Sequence, residues 1–114
     1  MTISLLLLGT RNPTIPPSTF KAHLESHVEL IKRLTGDAFP LAHRRSYILR
    51  TTQSDFEFDS VAELTFEDQA ALERFQARVR APEAAKLLKE DEDRFSDRGR
   101  LCIVRLGEVV ETRR

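Results

Sequence analysis

The sequence predicts an α+β fold whose elements run in the order β-α-β-β-α-β. Three observations predict it. A short apolar run opens the chain, two long stretches carry helical periodicity, and three later stretches read as strands. A length of 114 residues suits one domain, 1–114, and leaves no room for a second.

Residues 2–9 read as the first strand. Ile3, Leu5 and Leu7 share one face, and Leu6 and Leu8 the other, so the strand is expected to be covered on both sides. Asn12-Pro13 and Pro16-Pro17 mark a loop from Arg11 to Pro17. The first helix follows from about Ser18 to Thr35, and Gly36 stops it. After a turn over 37–41, a strand is expected from about Ala42 to Thr51. The polar stretch Thr52 to Phe58 reads as a hairpin connection, and Asp59 to Phe66 as the third strand.

Thr65-Phe66-Glu67-Asp68 resembles a helix start of the capping-box kind, with Asp a weaker fourth member than Glu. That helix is expected to reach Arg80, with Leu72, Phe75 and Val79 facing inward. Pro82 interrupts the pattern and opens a further helix to about Ser96. Gly99 ends the helical region, and Leu101 to Val110 reads as the last strand. This order is the ferredoxin-like pattern. Its four-stranded sheet carries helices on one face, and a second copy of the chain is expected to cover the other, making a dimeric α+β barrel.

Composition narrows the functional classes. Eighteen basic and eighteen acidic residues cancel, so the basic excess of a nucleic-acid binder is missing. The single cysteine, Cys102, can form neither an intrachain disulfide nor a cysteine-rich zinc site. The apolar run Ile3 to Leu8 is too short for a membrane span or signal core. A soluble cytoplasmic protein is expected, with no membrane partner.

The informative residues are polar ones inside apolar stripes. At about 100° per residue, Phe20, Leu24, Ile31 and Leu34 share one face of the first helix, and His27 falls among them. Glu25, Glu29, Lys32 and Arg33 are expected to point away into solvent. His27 is either a hydrogen-bonded core histidine or a pocket acid–base group. His23, at the stripe's border, is either surface decoration or a substrate-binding group. Asp91 repeats the pattern in the last helix, between Leu88 and Phe95. A carboxyl group there is expected to pair with an arginine from the sheet, donate a proton, or orient an imidazole.

The second strand alternates His43, Arg45 and Tyr47 on one face with Arg44, Ser46 and Ile48 on the other. The first row is either an exposed edge or the wall of a polar pocket. Glu63 is expected to pair with one of these arginines. The spacing of His27, Asp91 and His43 matches no dedicated ligand motif, so no metal, haem or other cofactor is expected.

The stretches Phe20-Lys21-Ala22-His23-Leu24-Glu25 and His27-Val28-Glu29-Leu30-Ile31-Lys32 resemble the first helix of fungal EthD-domain proteins. Phe39-Pro40-Leu41-Ala42-His43-Arg44-Arg45-Ser46-Tyr47 is similar to their second strand, and Glu63 to Asp68 and Glu90 to Phe95 to later blocks. The resemblance implies a dimeric α+β barrel and a homodimer acting on a small molecule. Members in fungal aromatic polyketide pathways are described as dehydratases, and relatives on the same barrel include cofactor-independent cyclases and monooxygenases. The implied site has His27, Asp91 and Tyr47 as catalytic groups, with His43, Arg45 and His23 binding substrate. The expected activity is that of a cofactor-independent lyase, a dehydratase of a polyketide or related secondary metabolite. The alternatives are a cyclase or monooxygenase, and a non-catalytic small-molecule-binding accessory protein.

Overall fold

The computed structural model describes residues 1–51 and 57–114. It contains β1 (Ile3–Gly9), α1 (Pro17–Thr35), β2 (Ala42–Tyr47), β3 (Ser60–Phe66), α2 (Gln69–Arg80), α3 (Pro82–Glu92) and β4 (Cys102–Arg105). The strands form one antiparallel sheet in the order β2-β3-β1-β4. This is the ferredoxin-like α+β arrangement that the element order predicts. The expected hairpin connection at 52–58 lies largely outside the described residues.

Register decides which side chains share a face. Leu5 sits opposite Leu64 and Leu7 opposite Ala62, while His43, Arg45 and Tyr47 of β2 sit opposite Leu64, Ala62 and Ser60. All of these point toward the helices. Ala62, Leu64 and Phe66 pack there against Leu72 and Phe75 of α2, with Ile31 of α1 alongside. Phe66 is 1% exposed and its ring lies 5.2 Å from that of Phe75. Each such side chain contributes roughly 1.5–3 kcal/mol by leaving water.

The helix boundaries follow from local chemistry. Gly36 closes α1 with φ at +55°, a conformation that favours glycine, and its N–H donates to Lys32 O. Arg78 of α2 donates to the Thr35 carbonyl, so a side chain satisfies an orphan acceptor at the end of α1. Ala81 is extended and Pro82 starts a new helix, which splits the last helical region in two.

Several boundaries differ from expectation. Asp68, not Thr65, caps α2, accepting from Ala71 N at 2.8 Å, while Thr65 stays in β3. β2 stops at Tyr47 rather than Thr51, because its partner β3 begins at Ser60. β4 stops at Arg105 rather than Val110. Leu106 N still reaches Ser4 O, but β1 then runs out of residues to pair. α3 ends at Glu92 rather than Ser96, and tighter turns over Arg94 and Phe95 swing the Phe95 ring inward to 2% exposure.

The opposite sheet face carries Leu6, Leu8, Val61, Glu63, Thr65 and Val104 by register. Glu63 stands opposite Arg44 on that face, which makes Arg44, of the β2 arginines, its cross-strand neighbour. Among the described residues, no helix is long and apolar enough to cross a membrane.

Candidate active site

His27 sits in the middle of α1 with 5% of its surface exposed. Its Nδ1 lies 2.7 Å from Asp91 Oδ2 and its Nε2 lies 3.3 Å from Glu92 Oε1. Both carboxylates come from the last turn of α3. Negative charge at a helix C-terminus opposes the helix dipole, so this placement needs compensation from outside the helix. His27 provides it, helped by Arg98 on Glu92 at 2.7 Å and Arg94 on Asp91 at 3.8 Å. The arginine near Asp91 is therefore Arg94, three residues on and just past the end of α3, not one from the sheet.

Burial pulls the His27 pKa down, but hydrogen bonding to Glu92 and Asp91 and their charges outweigh it. The net shift is upward, so neutral His27 is a stronger base than free imidazole. Phe95 presents its ring at 5.3 Å and a steep angle, closing off one side of the imidazole.

His43, on the facing strand, behaves in the opposite way. Burial and the charge of Arg45 push its pKa down to about 4, so it is neutral at pH 7. Arg45 Nη1 lies 3.3 Å from His43 Nδ1 and 3.0 Å from the His43 carbonyl oxygen. A guanidinium only donates, so Nδ1 accepts and the ring proton belongs on Nε2. His43 thus offers a neutral N–H donor.

Arg45 is itself held by Glu25, with Nε to Oε2 and Nη2 to Oε1 both at 2.8 Å. The Tyr47 hydroxyl donates to the same Glu25 carboxylate. These bonds from Arg45 and Tyr47 hold the Glu25 pKa down at about 2. Burial and Glu25 together raise the Tyr47 hydroxyl to about 12, so it remains a neutral donor.

A cavity of about 110 Å³ opens between the sheet and α1. Its wall is mainly apolar, including Leu7, Leu24, Val28 and Ile31, and its polar groups are those of His27, His43, Glu92, Ser60 and Ser96. Gly9 lines its floor beside Ser60, where a Cβ would come within 2.6 Å of Ser60 Oγ. The polar pocket expected from sequence is thus a largely apolar one with a few polar groups.

The expected site residues separate into groups. His27 and His43 share the cavity wall. Asp91 stands behind His27 rather than on the wall. Tyr47 lines a second, outer groove of about 520 Å³, and Phe20 borders both spaces. His23 stacks on Phe95 at 6.0 Å and is not on the cavity wall.

Two residues escaped sequence reasoning. Glu25 was expected in solvent, yet it faces the β2 edge and clamps Arg45 and Tyr47. Glu92 went unremarked beside Asp91. The one available signal was the acidic run at the end of α3, which contradicts the helix dipole. Among the described residues, no cluster of three histidine, cysteine or acidic side chains is arranged to hold a metal ion.

The EthD-domain family model matches residues 12–99 of the sequence. The chain belongs to the EthD-domain family. Solved structures agree on the fold of this EthD-domain protein. An ethyl tert-butyl ether D (EthD) family protein from Bacillus halodurans superposes with a TM-score of 0.63 at 18% identity, covering 96% of this chain and 100% of the other. A dimeric protein of unknown function and ferredoxin-like fold from Bacteroides fragilis gives 0.61 at 9% identity, covering 92% and 94%. SnoaB, a cofactor-independent oxygenase from Streptomyces nogalater, gives 0.60 at 15% identity, covering 96% and 95%. No functionally curated protein matches the sequence.

Proposed function

We propose that this EthD-domain protein is a cofactor-independent lyase that dehydrates a cyclic carbonyl compound, an aromatic polyketide or a related secondary metabolite. One observation carries the reading. A buried imidazole braced by two carboxylates and a neutral imidazole N–H donor share the wall of one apolar cavity.

Loss of water from a β-hydroxy ketone needs a base for the α-proton, a donor for the carbonyl oxygen and an acid for the hydroxyl. His27 Nε2 takes the α-proton, and Asp91 and Glu92 stabilise the imidazolium that forms. His43 Nε2–H holds the carbonyl oxygen as enolate charge develops. The His27 proton then passes to the departing hydroxyl, which leaves as water. Asp91 positions His27, and Arg45 positions His43. Tyr47 and His23 act at the periphery.

A cavity of about 110 Å³ is smaller than the roughly 150 Å³ that takes up benzene, so it holds at most part of one ring system. A larger substrate therefore extends past Phe20 into the outer groove. We place the working unit as a homodimer, in which a second copy covers Leu6, Leu8, Val61 and Val104 on the open sheet face. The dimeric description of the Bacteroides fragilis structure supports this.

The test is dehydration under anaerobic conditions. Turnover by the wild type without oxygen, abolished in a folded His27→Ala dimer, is the expected result. A second reading draws on the SnoaB fold, because a base in an apolar cavity also serves cofactor-free oxygenation. Oxygen uptake in step with turnover would select it, and product binding without turnover would select an accessory role.

A further inference from the structure

We propose that the outer end of this site is a carboxylate-binding subsite built on Thr10, Arg11 and Arg50, so that the substrate carries a carboxylate remote from its reacting ring. The inference deepens the proposed function and rests on it for what happens at the ring.

Thr10 is 5% exposed, and its Oγ1 has no hydrogen-bond partner among the described residues. A buried hydroxyl without a partner costs stability and calls for an explanation. Next to it, Arg11 Nε is also buried without a hydrogen bond, standing 3.5 Å from Asp59 Oδ1 at ion-pair range only. Both residues line a cavity of about 220 Å³ with Arg50 and Arg100. Arg11 and Arg50 also line the 520 Å³ groove, where Lys21 and Tyr47 stand. The two spaces therefore adjoin, and Phe20 stands between the groove and the His27 cavity, lining both.

The start of α1 adds to this field. Pro17 and Ser18 border the groove, and the helix has neither a side-chain cap nor an acidic first turn. Its 19 residues direct a positive end toward the groove, where Asp59 is the acidic group on the wall. The field has a limit that identifies the ligand. Glu57, Asp59 and Asp97 share the 220 Å³ cavity with the arginines. Asp59 accepts from the Arg11 backbone N–H at 2.7 Å, so it stays in place. A dianionic phosphate would face these carboxylates, whereas a planar monoanion fits a guanidinium fork and a hydroxyl donor.

Arg11 also donates to the Ile15 carbonyl and anchors its loop, so its loss risks misfolding. Arg50 donates to the Phe58 carbonyl at 2.6 Å and stands 3.7 Å from Asp59 Oδ1, but its side chain is 46% exposed and Gln retains a donor, so Thr10→Val and Arg50→Gln serve better. Binding of 2-naphthoate, 2-naphthol and 2-naphthyl phosphate to the full chain is measured by calorimetry. The wild type should bind naphthoate about tenfold or more tightly than naphthol. Each variant should lose most of that preference while naphthol affinity holds, and Thr10→Val should melt no lower than wild type. Equal binding of naphthoate and naphthol, tighter binding of the phosphate, or full naphthoate affinity in Thr10→Val would overturn the proposal. Binding is read without turnover, so a failure of the His27 chemistry would show separately, as an unchanged rate in His27→Ala.

Discussion

His27 Nδ1 and Asp91 Oδ2 meet at 2.7 Å across 64 residues of sequence, inside the seam between α1 and α3. This contact fixes the imidazole so that Nε2 stands beside Glu92 Oε1, at 3.3 Å, among the residues of the cavity wall. Asp91→Asn keeps the shape but removes the charge that favours imidazolium. The His27 pKa should fall, and turnover should drop about tenfold or more. NMR titration of the ring with steady-state kinetics checks both. A merely structural role would lower the pKa but leave turnover of the folded variant unchanged.

The two cavity histidines should titrate apart. His27, its pKa raised by Asp91 and Glu92, should carry its proton above pH 6.5. His43 should stay neutral down to about pH 4. Their effects on stability have opposite signs. The His27 contribution is full below its unfolded pKa and is lost as pH rises through the folded one. The unfolded chain protonates His43 below about pH 6.5 while the fold resists until about pH 4. Stability therefore falls with acid across that window. Urea unfolding of His43→Gln should show a shallower acid decline than wild type.

Glu25 binds Arg45 and Tyr47 together, and Tyr47 is the single tyrosine in a chain without tryptophan. Near-ultraviolet absorbance thus reports on one phenol. Wild-type Tyr47 should ionise near pH 12. In Glu25→Gln the neighbouring negative charge is gone, and ionisation should begin at lower pH. The same variant should slow turnover, because Arg45 no longer holds His43 in a single orientation.

The open sheet face gives a test of assembly. Val61 lies on that face, opposite Leu8 of β1. Val61→Asp should convert a dimer to monomer by placing an unpaired charge in the centre of the interface. Sedimentation velocity reads the change, and wild type should run at twice the chain mass.

Much of this was legible in the sequence. Strand and helix order followed from periodicity, and His27 and Asp91 stood out because each interrupts an apolar stripe. Boundaries were less legible, because β2 and β4 end where their partners end, which local sequence does not encode. Glu25 was missed because a helical wheel knows only its own helix. The β2 edge reaches around α1 and converts a solvent-facing position into a contact. Asp91 was visible as a buried acid, but its place behind His27 depended on the packing angle of α3. Glu92 reaches Nε2 only because α3 ends there.

The central claim is that His27 and His43 form an enolising pair, and solvent exchange tests it most directly. The probe is 2-tetralone, an aromatic cyclic ketone with acidic α-protons, in deuterated buffer followed by NMR. Wild type should accelerate α-proton exchange, and His27→Ala should lose roughly 100-fold or more of that acceleration. Exchange in His27→Ala at the wild-type rate would contradict the account.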